Sequence, residues 1–226
     1  MKQSSLMTVI FSAAIAVLVL SASIAVPLLF RPFYYFHIEY LNLPEHISLT
    51  TAQIMQAFNE VMDYCLGFSD EFSAGVFPFS ESGASHFADV RVLFRLDLFC
   101  LLGSLGVVVL LNLFCKLKKI KARLFLGHHS YFWSSVLLGL VFLLVGILAA
   151  QDFNTAFTVF HKLLFPGKDN WIFSYTTDPV IYILPEFFFR NSAILILVLL
   201  CSCCAVLIFA DILANHFRKT KQKAFR

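Results

Sequence analysis

Four stretches of the chain stay apolar for about 20 residues or more, enough for a helix rising 1.5 Å per residue to cross a bilayer core of about 30 Å. They run over about 6–30, 94–115, 131–150 and 192–214. Between the first two, the pattern changes. Ile54, Phe58, Val61 and Cys65 recur at three and four residues, which predicts an amphipathic helix over 50–66 with one apolar face. Thr50 with Gln53 forms a capping-box pattern at its start, and Gly67 is its expected stop. The apolar face is expected on the membrane or on the outer ends of the spans. Residues 31–47 carry Arg31, Phe33, Tyr34, Tyr35, Phe36, Tyr40 and two prolines, an aromatic collar of the kind found at bilayer interfaces. Residues 69–85 are rich in Ser, Gly, Asp and Glu and read as a loop, with a new helix starting near Ser82 or Ser85 and running on into the second span. The pattern predicts an all-α integral membrane protein: a single membrane domain over 1–226, with four transmembrane helices and a small helical extracytoplasmic region.

Composition supports this. The 226 residues are 59% hydrophobic and 14% charged, with a mean hydropathy of +0.81; soluble domains hold about 45–50% apolar and about 25% charged residues. The first span resembles a signal peptide, with Lys2 before it and Ser21-Ala22-Ser23-Ile24-Ala25 near its end. Its apolar run continues through Val26, Leu28, Leu29 and Phe30, too long for a signal peptide's apolar region, so a retained helix is expected.

Charge placement sets an orientation. Lys2, Lys116, Lys118, Lys119, Lys121, Arg123, Arg218, Lys219, Lys221, Lys223 and Arg226 are 11 of the 17 basic residues. The longer connections hold 12 of the 14 acids. The positive-inside rule puts both termini, the loop 116–130 and the tail 215–226 in the cytoplasm. Segments 31–92 and 151–191 then face outward. The basic residues track one membrane face, so no nucleic-acid partner is expected. Cys100, Cys115, Cys201, Cys203 and Cys204 lie in spans, and Cys65 has no obvious partner; the group at 201–204 reads as small apolar packing.

Two histidines stand out by location. His86 falls in the first turns of the helix leading into the second span, and His161 lies just beyond the third. Both are expected on the outer side near the interface. Asp89 lies three residues after His86, on the same helical face, where a carboxylate can orient an imidazole. His37 and His46 lack a comparable setting, and His128 and His129 mark the end of the basic loop. Three readings stay open. His86, His161, Asp89 and Asp178 are of the right types to ligate zinc, without an HExxH spacing. Ser80, Ser82 and Ser85 lie near His86, without a GxSxG context. A non-enzymatic membrane binding or assembly protein, or a metal-dependent membrane hydrolase, fits the same residues.

Three segments carry a resemblance to a known family. Ser80–Val90 (SESGASHFADV), Phe160–Trp171 (FHKLLFPGKDNW) and Asp178–Phe188 (DPVIYILPEFF) resemble motifs of the bacterial lipoprotein intramolecular transacylases, and the four-span layout is similar. Ser174-Tyr175 departs from the acidic residue the family shows there. The resemblance implies a cofactor-independent acyltransferase in a bacterial cell membrane, acting on diacylglyceryl-modified lipoproteins among membrane lipid. Its reaction moves the sn-2 acyl chain of the modified cysteine to that cysteine's α-amino group, giving the lyso-form. His86 and His161 match the family's two histidine positions and are expected to be catalytic, with Asp89 orienting His86. Ser80, Glu81, Arg91, Trp171, Asp178 and Arg190 complete the expected substrate-binding set.

Overall fold

The computed structural model describes residues 2–224. It is helical, in the order α1 (Ser5–Leu29), α2 (Pro32–Tyr40), α3 (Leu43–Ile47), α4 (Thr51–Leu66), α5 (Glu81–Leu117), α6 (Ser130–Gln151), α7 (Phe153–Leu164), a 3-10 turn (Pro179–Ile183) and α8 (Glu186–Ala224). Two three-residue strands, β1 (Lys2–Ser4) and β2 (Ile120–Ala122), pair in parallel, a minor addition to the all-α expectation. Helices α1, α5, α6 and α8 are long and apolar enough to cross a membrane. Only 6% of the most apolar window of α5 and of α6 is buried within the protein, so their remaining apolar surface calls for lipid. At 37 residues, α5 is roughly 55 Å long, well beyond the bilayer core.

The chain, expected as one membrane domain, divides into two compact units. One comprises 1–23, 99–147 and 196–226. Val19, Leu200 and Cys204 are its buried centre, with Leu138, Phe142 and Leu207 packed around them. The expectation for Cys204 as a small apolar packing residue holds. In the same unit the loop before α6 is tied to α8. His128 Nδ1 and His129 Nδ1 each lie 2.5 Å from an oxygen of the fully buried Asp211, and the His129 backbone N–H and Asn215 Nδ2 donate to it at 3.0 Å. The two histidines, read from sequence only as a loop end, are the partners that make this buried carboxylate tolerable.

The second unit comprises 24–98 and 148–195. Its core is built on α4. Ile54, Phe58, Val61 and Cys65 are at most 3% exposed, as the periodicity predicts. They face not the membrane but Tyr34 and Ile38 of α2, Phe87 of α5, Val180 and Ile183 of the 3-10 turn and Phe188 of α8. Of the two expected placements, the membrane is replaced by a packed core, while Phe87 and Phe188, near the starts of the helices that carry the second and fourth spans, match the placement on the ends of the spans. The aromatic collar is also divided: Tyr34 stacks on Phe58 at 3.6 Å and donates to the Ile183 carbonyl at 2.7 Å, while Phe36 and Tyr40 remain exposed. Pro32 near the start of a helix explains the folding of this stretch, since its fixed φ suits the first turn. The Thr50–Gln53 capping box is formed, and Gly67 ends α4 at φ 86°, a backbone shape costly for other residues.

Candidate active site

The site is built within the second unit from α5, α7 and the segment that follows α7. Ser80 caps α5, which starts at Glu81, one residue before the nearer expected start at Ser82: its Oγ accepts from the Gly83 N–H at 2.9 Å. Asp178 braces this cap, accepting from the Ser80 N–H at 2.7 Å, the Ser80 hydroxyl at 2.9 Å and the Thr177 hydroxyl at 2.7 Å. Burial works to raise the Asp178 carboxyl, and these hydrogen bonds outweigh it and hold it below its ordinary value. The cap fixes the first turns of α5, and His86 sits in the second.

His161 reaches the same place from α7, which Asp152 caps through the Thr155 N–H at 3.0 Å. The His86 and His161 rings lie 5.9 Å apart, centroid to centroid, at 36°. Both are buried, 5% and 8% exposed, among Phe157, Phe165, Phe173 and Trp171. Trp171 stacks on His161 at 4.9 Å. His161 Nδ1 lies 2.8 Å from the Phe157 carbonyl. A carbonyl only accepts, so Nδ1 carries the hydrogen and the neutral ring keeps its lone pair on Nε2. His86 Nδ1 is buried and has no hydrogen-bond partner within the protein. His86 precedes the expected crossing segment 94–115 by eight residues. Burial, helped by His161 and Lys168 and opposed by Asp89, pushes its pKa down to about 4. Burial also lowers His161, against the raising effect of the Phe157 carbonyl. Both rings are therefore neutral at pH 7.

The other expected residues divide. Trp171 belongs to the pocket. Asp89 does not hold His86: its oxygens take Lys168 Nζ at 2.5 Å and Asn170 Nδ2 at 3.0 Å, so it acts on His86 through charge, without a hydrogen bond. Ser80 and Asp178 support α5 rather than line the ring pair. Glu81 is exposed at the head of α5. Arg91 donates to the Ser69 carbonyl at 2.9 Å and Asp70 at 3.0 Å and covers the Tyr64 ring, which anchors the 67–80 loop. Arg190 is exposed and lies over the Phe187 ring at 4.3 Å. Asp89 and Asp178 do not converge with the histidines, and among the described residues no group of three His, Cys, Asp or Glu is placed to hold a metal ion. Ser80 Oγ is committed to Asp178 and Gly83, and Ser85 Oγ lies 3.4 Å from Asn170 Nδ2; neither serine is bonded to an imidazole. At the Ser174-Tyr175 departure, Ser174 bonds Thr176 at 2.7 Å and its carbonyl accepts from the Asp178 N–H at 2.8 Å, a local turn that needs no acid.

Sequence reasoning missed Lys168, Asn170, Phe165 and Phe173, although the first three lie inside the quoted Phe160–Trp171 stretch. It also passed over His37, which is 2% exposed, donates through Nδ1 to the Phe33 carbonyl at 2.7 Å and meets Asn191 through Nε2 at 3.0 Å. Both ring nitrogens of His37 are thus engaged in structure.

The profile of the family described as lipoprotein intramolecular transacylase Lit matches residues 9–189. Among solved structures, the membrane integral lipoprotein intramolecular transacylase Lit from Bacillus cereus is similar, at TM-score 0.80 and 25% identity over 96% of this chain and 97% of that one. Two variants of the Bacillus cereus protein with a histidine replaced by arginine or by alanine share the fold, each at TM-score 0.75 and 23% identity. They cover 98% and 97% of this chain and 94% of theirs. No curated protein sequence matches the chain. A family match over most of the length, joined to the four crossing helices, establishes that the chain belongs to the lipoprotein intramolecular transacylase family.

Proposed function

We propose that the chain moves the sn-2 acyl chain of a diacylglyceryl-modified lipoprotein cysteine to the α-amino group of the same cysteine, with His86 and His161 handling the proton. Family membership makes it an enzyme of lipoprotein acyl transfer in a membrane. The observation that carries the role of the histidines is their pairing: two buried, neutral imidazoles 5.9 Å apart in an aromatic pocket.

The chemistry follows from that neutrality. An α-amino group has a pKa of about 7.7–8.0, so most of it is protonated at pH 7. Once deprotonated, its nitrogen attacks the ester carbonyl carbon. His161 Nε2, left as acceptor by the Nδ1–Phe157 bond, takes the proton that the nitrogen sheds. The C–O bond to glycerol breaks, and the proton passes to the departing glycerol oxygen. From the neutral amine onward no proton is gained or lost, so no pre-protonated acid is needed, in keeping with two depressed histidines. The Nδ1 atom of His86, buried without a protein partner, is suited to a polar atom of the reacting ester or amine. Amine and ester belong to one substrate, so holding them together supplies on the order of 7–11 kcal/mol in well-oriented cases.

The pocket belongs, in this reading, to the extracytoplasmic face. The basic loop after α5 and the basic tail support a cytoplasmic placement for both termini, and acyl chains in the outer leaflet then reach the pocket without leaving lipid.

Mass spectrometry of the N-terminal peptide of a reporter lipoprotein tests the reading. Cells with the wild-type chain yield the N-acyl lyso-form. His86→Ala and His161→Ala each lower its yield about 10²- to 10⁴-fold, the usual worth of a positioned acid or base. A free amine with one chain lost would mean hydrolysis, and unchanged lyso-form from both variants would remove the histidines from the chemistry.

A further inference from the structure

The segment after α7 folds back over His161 with little regular structure to hold it. Pro166 and Gly167 (φ 73°) end the helix, and the segment's own bonds are short-range: Lys168 N–H to the Phe165 carbonyl at 3.1 Å and Ile172 N–H to the Asp169 carbonyl at 3.0 Å. Between Pro166 and Trp171 its polar attachment to α5 centres on Asp89, upstream of the Asp178 bonds to Ser80. Asp89 takes Lys168 Nζ on Oδ1 and Asn170 Nδ2 on Oδ2, and Asn170 also reaches the Ser85 hydroxyl at 3.4 Å. The attachment lies one turn from His86. Its other end is the ring on His161: Trp171 Nε1 donates to the Lys168 carbonyl at 2.9 Å, and the indole stacks on the imidazole. A displacement of Lys168 therefore carries Trp171 with it.

We propose that Lys168 and Asn170 are positioning residues for the transfer reaction: clamped on Asp89, they fix the segment after α7 to α5 and so set the spacing of His161 from His86. This rests on the reading of the two histidines as the proton-handling pair. A partly exposed ion pair by itself adds little to stability; Asp89 and Lys168 side chains are 23% and 48% exposed. The pair's value lies in geometry, because a reacting group displaced by about 1 Å loses up to a hundredfold in rate. Lys168 also contributes to the low pKa of His86, which a cation near an imidazole must do.

The test uses the full-length chain in lipid bicelles with a diacylglyceryl lipopeptide, in a Trp133→Phe background so that Trp171 alone reports. Lys168→Met and Asn170→Ala are expected to lower kcat about ten- to a hundredfold, with KM nearly unchanged and the Trp171 emission shifted to the red. Lys168→Arg restores most of the rate, and Lys168→Met adds little on top of Asp89→Asn, because both break one clamp. Unchanged kcat and emission in Lys168→Met and Asn170→Ala, with His86→Ala inactive, would overturn the clamp and leave the histidines in place. A loss that Arg does not rescue and that follows a lowered Tm would also overturn it, as a mere folding effect. Full activity in His86→Ala and His161→Ala would instead sink the reading beneath.

Discussion

Asp178 and Gly83 show how closely the first turns of α5 are specified. The Asp178 carboxylate lies against the bare Cα of Gly83, where an added Cβ would run into Oδ1 and come within 2.9 Å of Cγ and 3.2 Å of a Phe173 ring carbon. Gly83→Ala is thus expected to displace Asp178, uncap α5 and disturb His86, lowering activity without touching either histidine. Circular dichroism that stays helical while lyso-form yield falls would support this; wild-type yield would refute it. At the histidines the prediction concerns pH. His86 is depressed to about 4 and His161 is pushed below its ordinary value, so both rings are neutral where the substrate amine titrates. The substrate amine loses its proton near about 7.7–8.0. The rate on a diacylglyceryl lipopeptide should climb from pH 6 to about 8 and level off, with no falling limb in between. A falling limb there would mean that one histidine enters the reaction protonated. The fold follows the same sign: the unfolded chain binds protons that the buried rings refuse, so stability present above about 6.5 is lost as pH drops toward about 4.

At the scale of elements, α4 carries the second unit through a single face. Phe58, 3% exposed, packs against Tyr34 and Phe188, so Phe58→Ala should cost about 3–5 kcal/mol and unfold this core. Thr50→Ala removes one half of the capping box and should cost about 1 kcal/mol. Thermal unfolding in detergent ranks the two; a larger drop from Thr50→Ala would contradict the core described here. These residues also mark what the sequence made legible. The α4 face, its cap and Gly67 could be read because a helix repeats at a fixed period and its ends have local chemistry. The crossing helices could be read because lipid demands long apolar runs. The partner of the α4 face could not, since Phe58 is apolar whether it meets lipid or Tyr34. His86 and His161 could be placed near one membrane face by pattern, and paired only through the family resemblance. The bond from Lys168 to Asp89 joins residues 79 apart and leaves no periodic trace. His37, with nothing in its local pattern to mark it, proved as buried as the catalytic candidates.

For the molecule as a whole, the decisive quantity is the unequal distribution of charge. Five basic residues crowd 116–123 and five more end the chain, while acids concentrate in 31–92 and 151–191. Translocating the basic loop would drag its lysines through hydrocarbon, each disfavoured by about 2.5–3.5 kcal/mol at mid-bilayer. One contact ties that basic loop to α8 within its own unit. The Asp211 carboxylate is buried, yet His128 and His129 from the end of that basic loop hold both oxygens, so the loop is built to stay beside the end of α8. Asp211→Ala should leave two imidazoles without their acceptor and lower Tm, since a polar group that loses its hydrogen-bond partner costs about 1–3 kcal/mol. The orientation itself is tested by replacing the six cysteines and placing a single one at Gln56 or at Lys118, both exposed. A membrane-impermeant maleimide should label the Gln56→Cys chain in intact cells and the Lys118→Cys chain only after lysis. The opposite pattern would turn the histidine pocket toward the cytoplasm. In that case a lipoprotein whose modified cysteine lies outside the cell could not reach His161, and the proposed acyl transfer would fail for want of substrate, however well the two rings are placed.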